Sequence, residues 1–180
     1  TNYGRAYDAL RQRFPTWEEV LEADTNELAE TIRIGGLANI KAPRIQAILR
    51  QLRAERGHLD LDFLEDMSVA EAREYLTSLR GVGLKTASCV LLFALHKPAF
   101  PVDTHIHRVT RRLGLVPAKA SPDQTSALLE SLVPESAYYV FHVNLIRHGR
   151  TLCKASSPQC YACFLAADCD YVNLGAPQKV

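Results

Sequence analysis

The stretch that decides the fold is Leu79-Arg80-Gly81-Val82-Gly83-Leu84-Lys85-Thr86-Ala87, which lies between two segments with helical spacing of apolar residues. Glycine tolerates backbone angles that a side chain forbids, so Gly81 and Gly83 let the chain turn sharply. They also leave N–H groups uncovered at the start of the next helix, where an anion of phosphate size can bind. We expect Val82 to anchor this turn in the core. A Gly-Val-Gly turn alone fits many helix connections, and the flanking helices make it more specific.

Helical patterns continue over most of the chain, and the alternation typical of strands is missing. Ser68 with Glu71 forms a predicted capping box, and Ser121-Pro122 is typical of a helix start. The predicted helices are 3–14, 17–23, 25–34, 41–57, 68–79, 85–95, 104–113, 121–132 and 137–150. The sequence therefore predicts an all-α protein, a helical bundle that contains a helix-hairpin-helix motif.

We expect two lobes. The helix-hairpin-helix bundle covers residues 24–118, and the second helical lobe combines residues 1–23 with residues 119–180. The second lobe ends in a cysteine-rich loop at 153–169. With 180 residues, 47% of them apolar, the chain is long enough to bury a core. No apolar run approaches the length of a membrane span, and no signal peptide opens the sequence.

Positive charge is concentrated in one part of the chain. The net charge is only +1, yet residues 80–120 contain seven basic residues and a single acid, Asp103. Local sign matters more than the total when the partner is a polyanion. The segment fits a nucleic-acid partner, although a solvated basic surface explains the charge alone equally well.

Lys85 lies in the first turn of the helix that follows the hairpin. The positive end of the helix dipole disfavours the charged form of an amine there, and partial desolvation in a cleft would act in the same direction. An uncharged lysine is a good nucleophile. A surface lysine that contacts phosphate or solvent is the alternative.

Asp103 stands in Phe100-Pro101-Val102-Asp103-Thr104-His105-Ile106-His107-Arg108-Val109. Asp103 or Thr104 would cap the next helix, and the carboxylate could also stabilise positive charge that develops on a sugar. The two roles are compatible. His105 and His107 could contact DNA or pack inside the protein.

Four of the five cysteines lie within 17 residues, as Cys153-x6-Cys160-x2-Cys163-x5-Cys169. They supply a complete set of four thiolate ligands on short loops. A structural zinc site and two disulfides are the alternatives, although zinc ribbons have two C-x2-C pairs and only one is present here. Cys89 lies within an apolar run and is expected to be a buried thiol.

Together these elements resemble the endonuclease III family of DNA glycosylases over residues 35–171. The resemblance includes the hairpin, the V-D-T-H-I-H-R-V segment at 102–109, His148-Gly149-Arg150 and the cysteine spacing. It implies a [4Fe-4S] cluster held by Cys153, Cys160, Cys163 and Cys169. Arg80 departs from the family pattern, which usually has proline before the first hairpin glycine.

The resemblance also implies the chemistry. Lys85 matches the lysine that attacks the sugar C1′, displaces the damaged base and forms a Schiff base, after which β-elimination cuts the strand. Asp103 matches the aspartate that assists this attack. Leu37 matches the wedge pushed into the duplex when the base is flipped out. The expected DNA contacts are Leu37, Arg80, Gly81, Val82, Gly83, His105, Arg108, Arg112 and Lys154.

The expected partner is damaged double-stranded DNA, bound by a monomer in a prokaryotic cytoplasm or a eukaryotic nucleus. Oxidised pyrimidines are the first expected substrate. Mismatched thymine and modified cytosine are alternatives, because residues 89–92 and 99–103 also resemble plant 5-methylcytosine glycosylases. A non-catalytic DNA-binding module is the main rival function. A small electron carrier or zinc protein would explain the cysteines but leave the hairpin and Asp103 without a role.

Overall fold

The computed structural model describes residues 2–175, which contain helices and no strand. This confirms the all-α prediction. The α-helices are α1 (Asn2–Arg13), α2 (Trp17–Glu22), α3 (Thr25–Thr31), α4 (Ala38–Arg56), α5 (Val69–Ser78), α6 (Leu84–Cys89), α7 (Thr104–Leu113), α8 (Pro122–Leu132), α9 (Tyr138–Thr151) and α10 (Asp170–Asn173). No described helix is both long enough and apolar enough to cross a membrane.

The described residues form two compact units. The first contains residues 2–67 and 75–82, and the second contains residues 68–74 and 83–175. This division differs from the predicted lobes, because α1 belongs with α3 and α4. Ala6 and Leu10 of α1, and Phe14 directly after it, lie in the same buried cluster as Leu28 and Leu49, so apolar burial fixes α1 in the first unit.

A buried glutamine organises the first unit. Gln46 of α4 is 1% exposed, and its side-chain amide donates to the carbonyl of Ala23 at 2.7 Å and to that of Val20 at 3.2 Å. The Thr25 hydroxyl donates to its carbonyl oxygen at 2.7 Å. The Gln46 side chain therefore satisfies carbonyls at the end of α2, which would otherwise be buried without partners.

The second unit is built around α7, α8 and α9. Ile106, Val109, Leu129 and Leu145 form its buried cluster together with Phe100. The predicted caps are present. Ser68 and Glu71 form a capping box, Ser121 forms another with Gln124, and the Asp103 side chain caps α7.

Three predicted helices differ from the structure by three residues or more. The predicted helix 25–34 ends at Thr31. α4 begins at Ala38, three residues before the predicted start, and Pro43 lies inside it as the sixth residue, where the missing N–H removes one intrahelical hydrogen bond. The predicted helix 85–95 is shorter. It ends at Cys89, and a π-helical turn follows over Val90–Ala94. Single π turns are frequent near functional sites.

Candidate active site

The hairpin has the predicted sharp turn. Gly81 has a φ of 89°, and the Val82 N–H donates to the Leu79 carbonyl at 3.0 Å. Gly81 is exposed, and a Cβ on it would approach the Arg44 Cδ to 2.8 Å, so the arginine side chain packs against one side of this glycine. Val82 is half-exposed rather than buried, which contradicts its expected role as a core anchor. The buried side chain at this turn is Leu79, which closes the turn with its backbone carbonyl.

Lys85 is exposed in the first turn of α6. The helix begins after Gly83, whose carbonyl accepts from the N–H groups of Thr86 and Ala87. The predicted position of Lys85 at a helix start is therefore confirmed. The Lys85 side chain is exposed to solvent rather than enclosed in a cleft.

The two carboxylate oxygens of Asp103 have different surroundings. Oδ1 accepts from the N–H groups of His105 at 2.9 Å and Ile106 at 2.8 Å, which caps α7. No hydrogen bond to Oδ2 occurs within residues 2–175, and the side chain is half-exposed. The cap therefore fixes the carboxyl group and leaves one oxygen available to a ligand.

His142 is buried next to the segment that leads to Asp103, and sequence reasoning did not find it. Its imidazole is 4% exposed, and Nδ1 lies 3.0 Å from the carbonyl oxygen of Pro101. Burial lowers the pKa of His142, and the positive charge of Lys85 lowers it further. The hydrogen bond to Pro101 and the charge of Asp103 act in the opposite direction. The imidazole therefore lies within the fields of both proposed catalytic charges.

Arg108 is used inside the second unit. Its Nε donates to the Cys153 carbonyl at 3.0 Å, and its Nη2 donates to the Gly149 carbonyl at 2.8 Å. Nη2 also lies 3.1 Å from Nδ1 of His105, which must accept because a guanidinium only donates. The structure thus gives Arg108 and His105, both expected DNA contacts, internal partners.

Arg112 holds the cysteine segment in place. Its Nη1 donates to the Lys154 carbonyl at 2.7 Å and approaches the Cys153 Sγ to 3.3 Å, while Nη2 donates to the Ala155 carbonyl at 3.1 Å. The guanidinium also lies over the Tyr171 ring. Arg112 was predicted to contact DNA, and these contacts instead commit much of its hydrogen-bonding capacity to the protein. The Lys154 side chain is exposed.

Leu37 and Arg80 lie on the surface of the first unit. Leu37 is 71% exposed and has a φ of 55°, which is uncommon for a residue other than glycine. Lys41 supports this turn, because its Nζ donates to the Gly35 carbonyl at 2.9 Å. A large apolar side chain held outward in a strained conformation is a good indication of function.

All four clustered cysteines line one cavity between α7, α9 and the C-terminal segment. All five cysteines are free, so the disulfide alternative is wrong for this structure. Burial raises the pKa of the Cys160 thiol, and the nearby Cys153, Cys169 and Cys163 raise it further. Deprotonating these thiols together requires a compensating cation. Cys89 is half-buried rather than buried.

Within the described residues, no three His, Cys, Asp or Glu side chains are grouped as ligands of one metal ion. The four thiols of the cavity remain the candidate ligands of a metal centre.

Residues 2–135 match the family described as HhH-GPD superfamily base excision DNA repair protein. This match covers well over half of the chain. The chain is a member of the HhH-GPD superfamily. The resemblance to endonuclease III is confirmed by the enzyme of Thermotoga maritima, which is 35% identical over 170 residues, covering 94% of this chain and 75% of that protein.

Plant proteins are also similar to this HhH-GPD chain. A protein of Arabidopsis thaliana named as a DNA glycosylase is 40% identical over 150 residues, which cover 83% of the chain and 51% of that protein. The DNA glycosylase/AP lyase ROS1 of the same plant is 35% identical over 170 residues, which cover 85% of the chain and 12% of that protein. The chain therefore spans about half or less of these plant relatives.

Solved structures share the fold of this HhH-GPD chain. A trapped covalent intermediate of endonuclease III with DNA matches with a TM-score of 0.80 and 31% identity, covering 94% of this chain and 75% of that one. A thermostable thymine-DNA glycosylase matches with a TM-score of 0.79 at 24% identity, covering 94% of this chain and 76% of that one. The latter shows similarity of fold alone.

Proposed function

We propose that this HhH-GPD chain carries the catalytic part of a DNA glycosylase that removes damaged bases from duplex DNA and cleaves the strand at the resulting abasic site. One observation carries the proposal. Lys85 is exposed in the first turn of α6, and the Asp103 side chain caps α7 through Oδ1 while Oδ2 has no hydrogen bond within residues 2–175. The names of two relatives support it, since one is a DNA glycosylase/AP lyase and another was trapped as a covalent intermediate with DNA.

Lys85 is the proposed nucleophile. Its unprotonated Nζ attacks C1′ of the target nucleotide, and the base leaves with the electrons of the glycosidic bond. The sugar ring then opens as O4′ takes a proton, which gives a protonated Schiff base between Nζ and C1′. Loss of a proton from C2′ expels the 3′ phosphate and breaks the strand. Water hydrolyses the Schiff base and frees Lys85.

Asp103 is proposed to stabilise positive charge on the sugar while the base leaves. Its Oδ2 has no hydrogen bond within residues 2–175, so it can face a cationic sugar without first losing a protein partner. A fixed carboxylate that requires no reorganisation is an effective stabiliser of developing charge. The α7 cap supplies this fixation through Oδ1.

The proposed DNA contacts in the first unit are the hairpin and the Leu37 wedge. Arg80 and Gly81 are exposed, and Gly81 has the backbone geometry needed to present N–H groups to a phosphate. Leu37 resembles the apolar wedges that enter base steps when a nucleotide is extruded. Damaged duplex DNA is the proposed partner of a monomeric protein.

Oxidised pyrimidines are the proposed substrates. Modified cytosine is the second candidate, favoured by the resemblance of residues 89–92 and 99–103 to plant 5-methylcytosine glycosylases. Duplexes with thymine glycol, dihydrouracil, 5-methylcytosine or a T·G mismatch separate these substrates. We expect thymine glycol and dihydrouracil to be excised fastest, and faster release of 5-methylcytosine would favour the second candidate.

Borohydride trapping on a duplex with an abasic site tests the proposed chemistry. The wild-type protein should form a covalent adduct, and Lys85→Gln should abolish both the adduct and strand cleavage. Glutamine retains most of the side-chain volume, so affinity for the duplex should stay near normal. Lys119→Gln is the matched control, because Lys119 is an exposed lysine of the same basic segment.

The rival function is a non-catalytic DNA-binding module. That function predicts duplex binding without any adduct, for the wild-type protein and for both lysine variants. Trapping of Lys85→Gln at the wild-type rate would place the nucleophile elsewhere and remove Lys85 from the proposal.

We also propose that Cys153, Cys160, Cys163 and Cys169 hold a [4Fe-4S] cluster. Four thiols line one cavity and are free of disulfides. Such a cluster would tie together the short segments after α9 that carry the four cysteines, and so couple metal binding to the stability of the second unit.

Metal analysis of protein purified without oxygen tests the cluster. About four irons per chain and a broad visible absorbance are expected. Cys160→Ser should lose iron and become less soluble, whereas Cys89→Ser should keep the iron, because Cys89 does not line the cavity. Stoichiometric zinc without iron would contradict the proposal.

A further inference from the structure

The segment that leads into Asp103 has no regular secondary structure and is held by side chains. The Phe100 N–H donates to Glu130 Oε1 at 2.8 Å, and the Ser126 hydroxyl donates to the Phe100 carbonyl at 2.7 Å. The next residue, Pro101, has no N–H, and its carbonyl lies 3.0 Å from Nδ1 of His142. Of these contacts, the one with His142 is nearest to Asp103 in the chain.

The imidazole of His142 is fixed by its surroundings. The ring is 4% exposed and packs edge-on against Phe93 at 5.2 Å and Phe100 at 6.0 Å between ring centres. A carbonyl can only accept a hydrogen bond, so Nδ1 must carry the proton that it donates to Pro101. Burial lowers the pKa of His142, which keeps the ring neutral at physiological pH, with Nδ1 protonated.

The same ring lies within the fields of Lys85 and Asp103. Because the neutral imidazole carries no positive charge, it does not neutralise the Asp103 carboxylate. The negative charge of Asp103 therefore stays available to the sugar. It also provides a hydrogen bond that orders the backbone two residues before that carboxylate. Both effects act on Asp103 rather than on the proposed nucleophile, Lys85.

We propose that His142 is a positioning residue, whose Nδ1–H holds the Pro101 carbonyl and thereby orients the Asp103 carboxylate towards the sugar. The inference rests on the proposed function of Lys85 and Asp103. His142 touches no reacting atom and acts through Asp103. A misplacement of about 1 Å in a catalytic group can lower a rate on the order of 100-fold.

Substitution of His142 by asparagine or by glutamine distinguishes the role of Nδ1 from that of Nε2. Asparagine carries its amide nitrogen on Cγ, where histidine carries Nδ1, whereas glutamine carries it one carbon further out, near Nε2. His142→Asn should therefore retain the bond to Pro101 and excise thymine glycol within about threefold of the wild-type rate. His142→Gln should lower the single-turnover rate by about tenfold to 100-fold, with the Kd for the duplex almost unchanged. Thermal unfolding of both variants checks that each is folded.

A double-mutant cycle with Asp103→Asn tests whether His142 acts through Asp103. In the Asp103→Asn background, adding His142→Gln should change the excision rate less than about twofold, because the group that it positions has already lost its charge. The wild-type protein, the two single variants and the double variant are also compared by their affinity for a duplex in which a pyrrolidine replaces the target sugar. This cation resembles the charged sugar and requires no catalysis.

Three results would overturn the inference. Independent, multiplicative effects of His142→Gln and Asp103→Asn would show that His142 does not act through the aspartate. Equal losses in the Asn and Gln variants would show that the bond from Nδ1 is irrelevant. An Nε2-protonated tautomer in the ¹⁵N spectrum of wild-type protein would exclude that bond whatever the activity. A different result would contradict the proposed function itself: a wild-type protein that forms no covalent adduct with abasic DNA in the presence of borohydride.

Discussion

One carboxylate oxygen of Asp103 stabilises the fold, and the other is available for the proposed chemistry. Oδ1 caps α7, and Oδ2 is free of hydrogen bonds within residues 2–175. A capping role and a functional role are therefore compatible in one side chain. Asparagine caps helices as well as aspartate does, so a substitution can separate the two roles.

Asp103→Asn should preserve the fold and slow base excision. The cap remains, and the loss of charge near the helix start should lower the free energy of unfolding by less than about 1 kcal/mol. Excision of thymine glycol should fall by about 100-fold or more, since the sugar cation loses its counter-charge. Cleavage at a preformed abasic site should fall much less, because the glycosidic bond is already broken. Equal losses in the two assays would contradict this division.

Leu37→Ala should reduce base excision from duplex DNA without reducing stability. The Leu37 side chain is 71% exposed, so its removal exposes little new apolar surface. A wedge matters only where stacked bases must open, so excision from single-stranded DNA should stay unchanged. Ile40→Ala is the control, because Ile40 is an exposed apolar residue in the first turn of α4. Unchanged excision from duplex by Leu37→Ala would reject the wedge.

At the scale of elements, the second unit depends on the close approach of α9 to α7. A Cβ on Gly149 would come within 2.9 Å of the His105 Cβ and 3.3 Å of the Arg108 Nη2. The Gly149 carbonyl also accepts from this arginine. The motif His148-Gly149-Arg150 is explained by this contact, which places His105 and Arg108 on the face of α7 that meets α9.

Gly149→Ala should destabilise the protein by about 1–3 kcal/mol, because the new methyl group overlaps a side chain close to the α7 backbone. Helix propensity alone predicts a gain of up to about 1 kcal/mol for alanine, so the sign of the change shows which effect dominates. Thermal or urea unfolding measures it. Gly83→Ala is the control, since no atom lies within 4 Å of the added Cβ. A stability gain at Gly149 would contradict the packing argument.

The arginines of α7 organise a second element, the cysteine segment. Arg108 and Arg112 donate to backbone carbonyls of Cys153, Lys154 and Ala155. These bonds satisfy carbonyls of an irregular segment that offers few backbone partners of its own. The helix after Asp103 therefore supports the proposed cluster loop and presents the proposed catalytic carboxylate.

At the scale of the whole molecule, the basic surface is narrower than the charge pattern suggests. Seven basic residues lie within 80–120, but the structure commits Arg108 and Arg112 to internal hydrogen bonds. Arg80, Lys85, Arg111 and Lys119 remain exposed. Charge counted along a sequence predicts that a polyanion can bind, whereas the contacts decide which cations are free to do so.

The sequence by itself determined the features set by close neighbours. The caps at Ser68, Asp103 and Ser121, the glycine turn at 81–83 and the position of Lys85 at a helix start depend on residues no more than four positions away. The spacing of the cysteines likewise placed them around one cavity, because they lie on short loops. Turns and helix caps depend on residues that are close together in the sequence, so the sequence alone predicts them.

Tertiary structure alone decided the contact of His142 with Pro101, the internal hydrogen bonds of Arg108 and Arg112, and the placement of α1. The bond between His142 and Pro101 joins residues 41 positions apart, and that between Arg112 and Lys154 spans 42. A histidine among apolar residues gives no sign of its partner, and an arginine in a basic segment fits DNA as well as a carbonyl. Such choices depend on which surfaces the buried apolar residues bring together, and no periodicity along the chain records that packing.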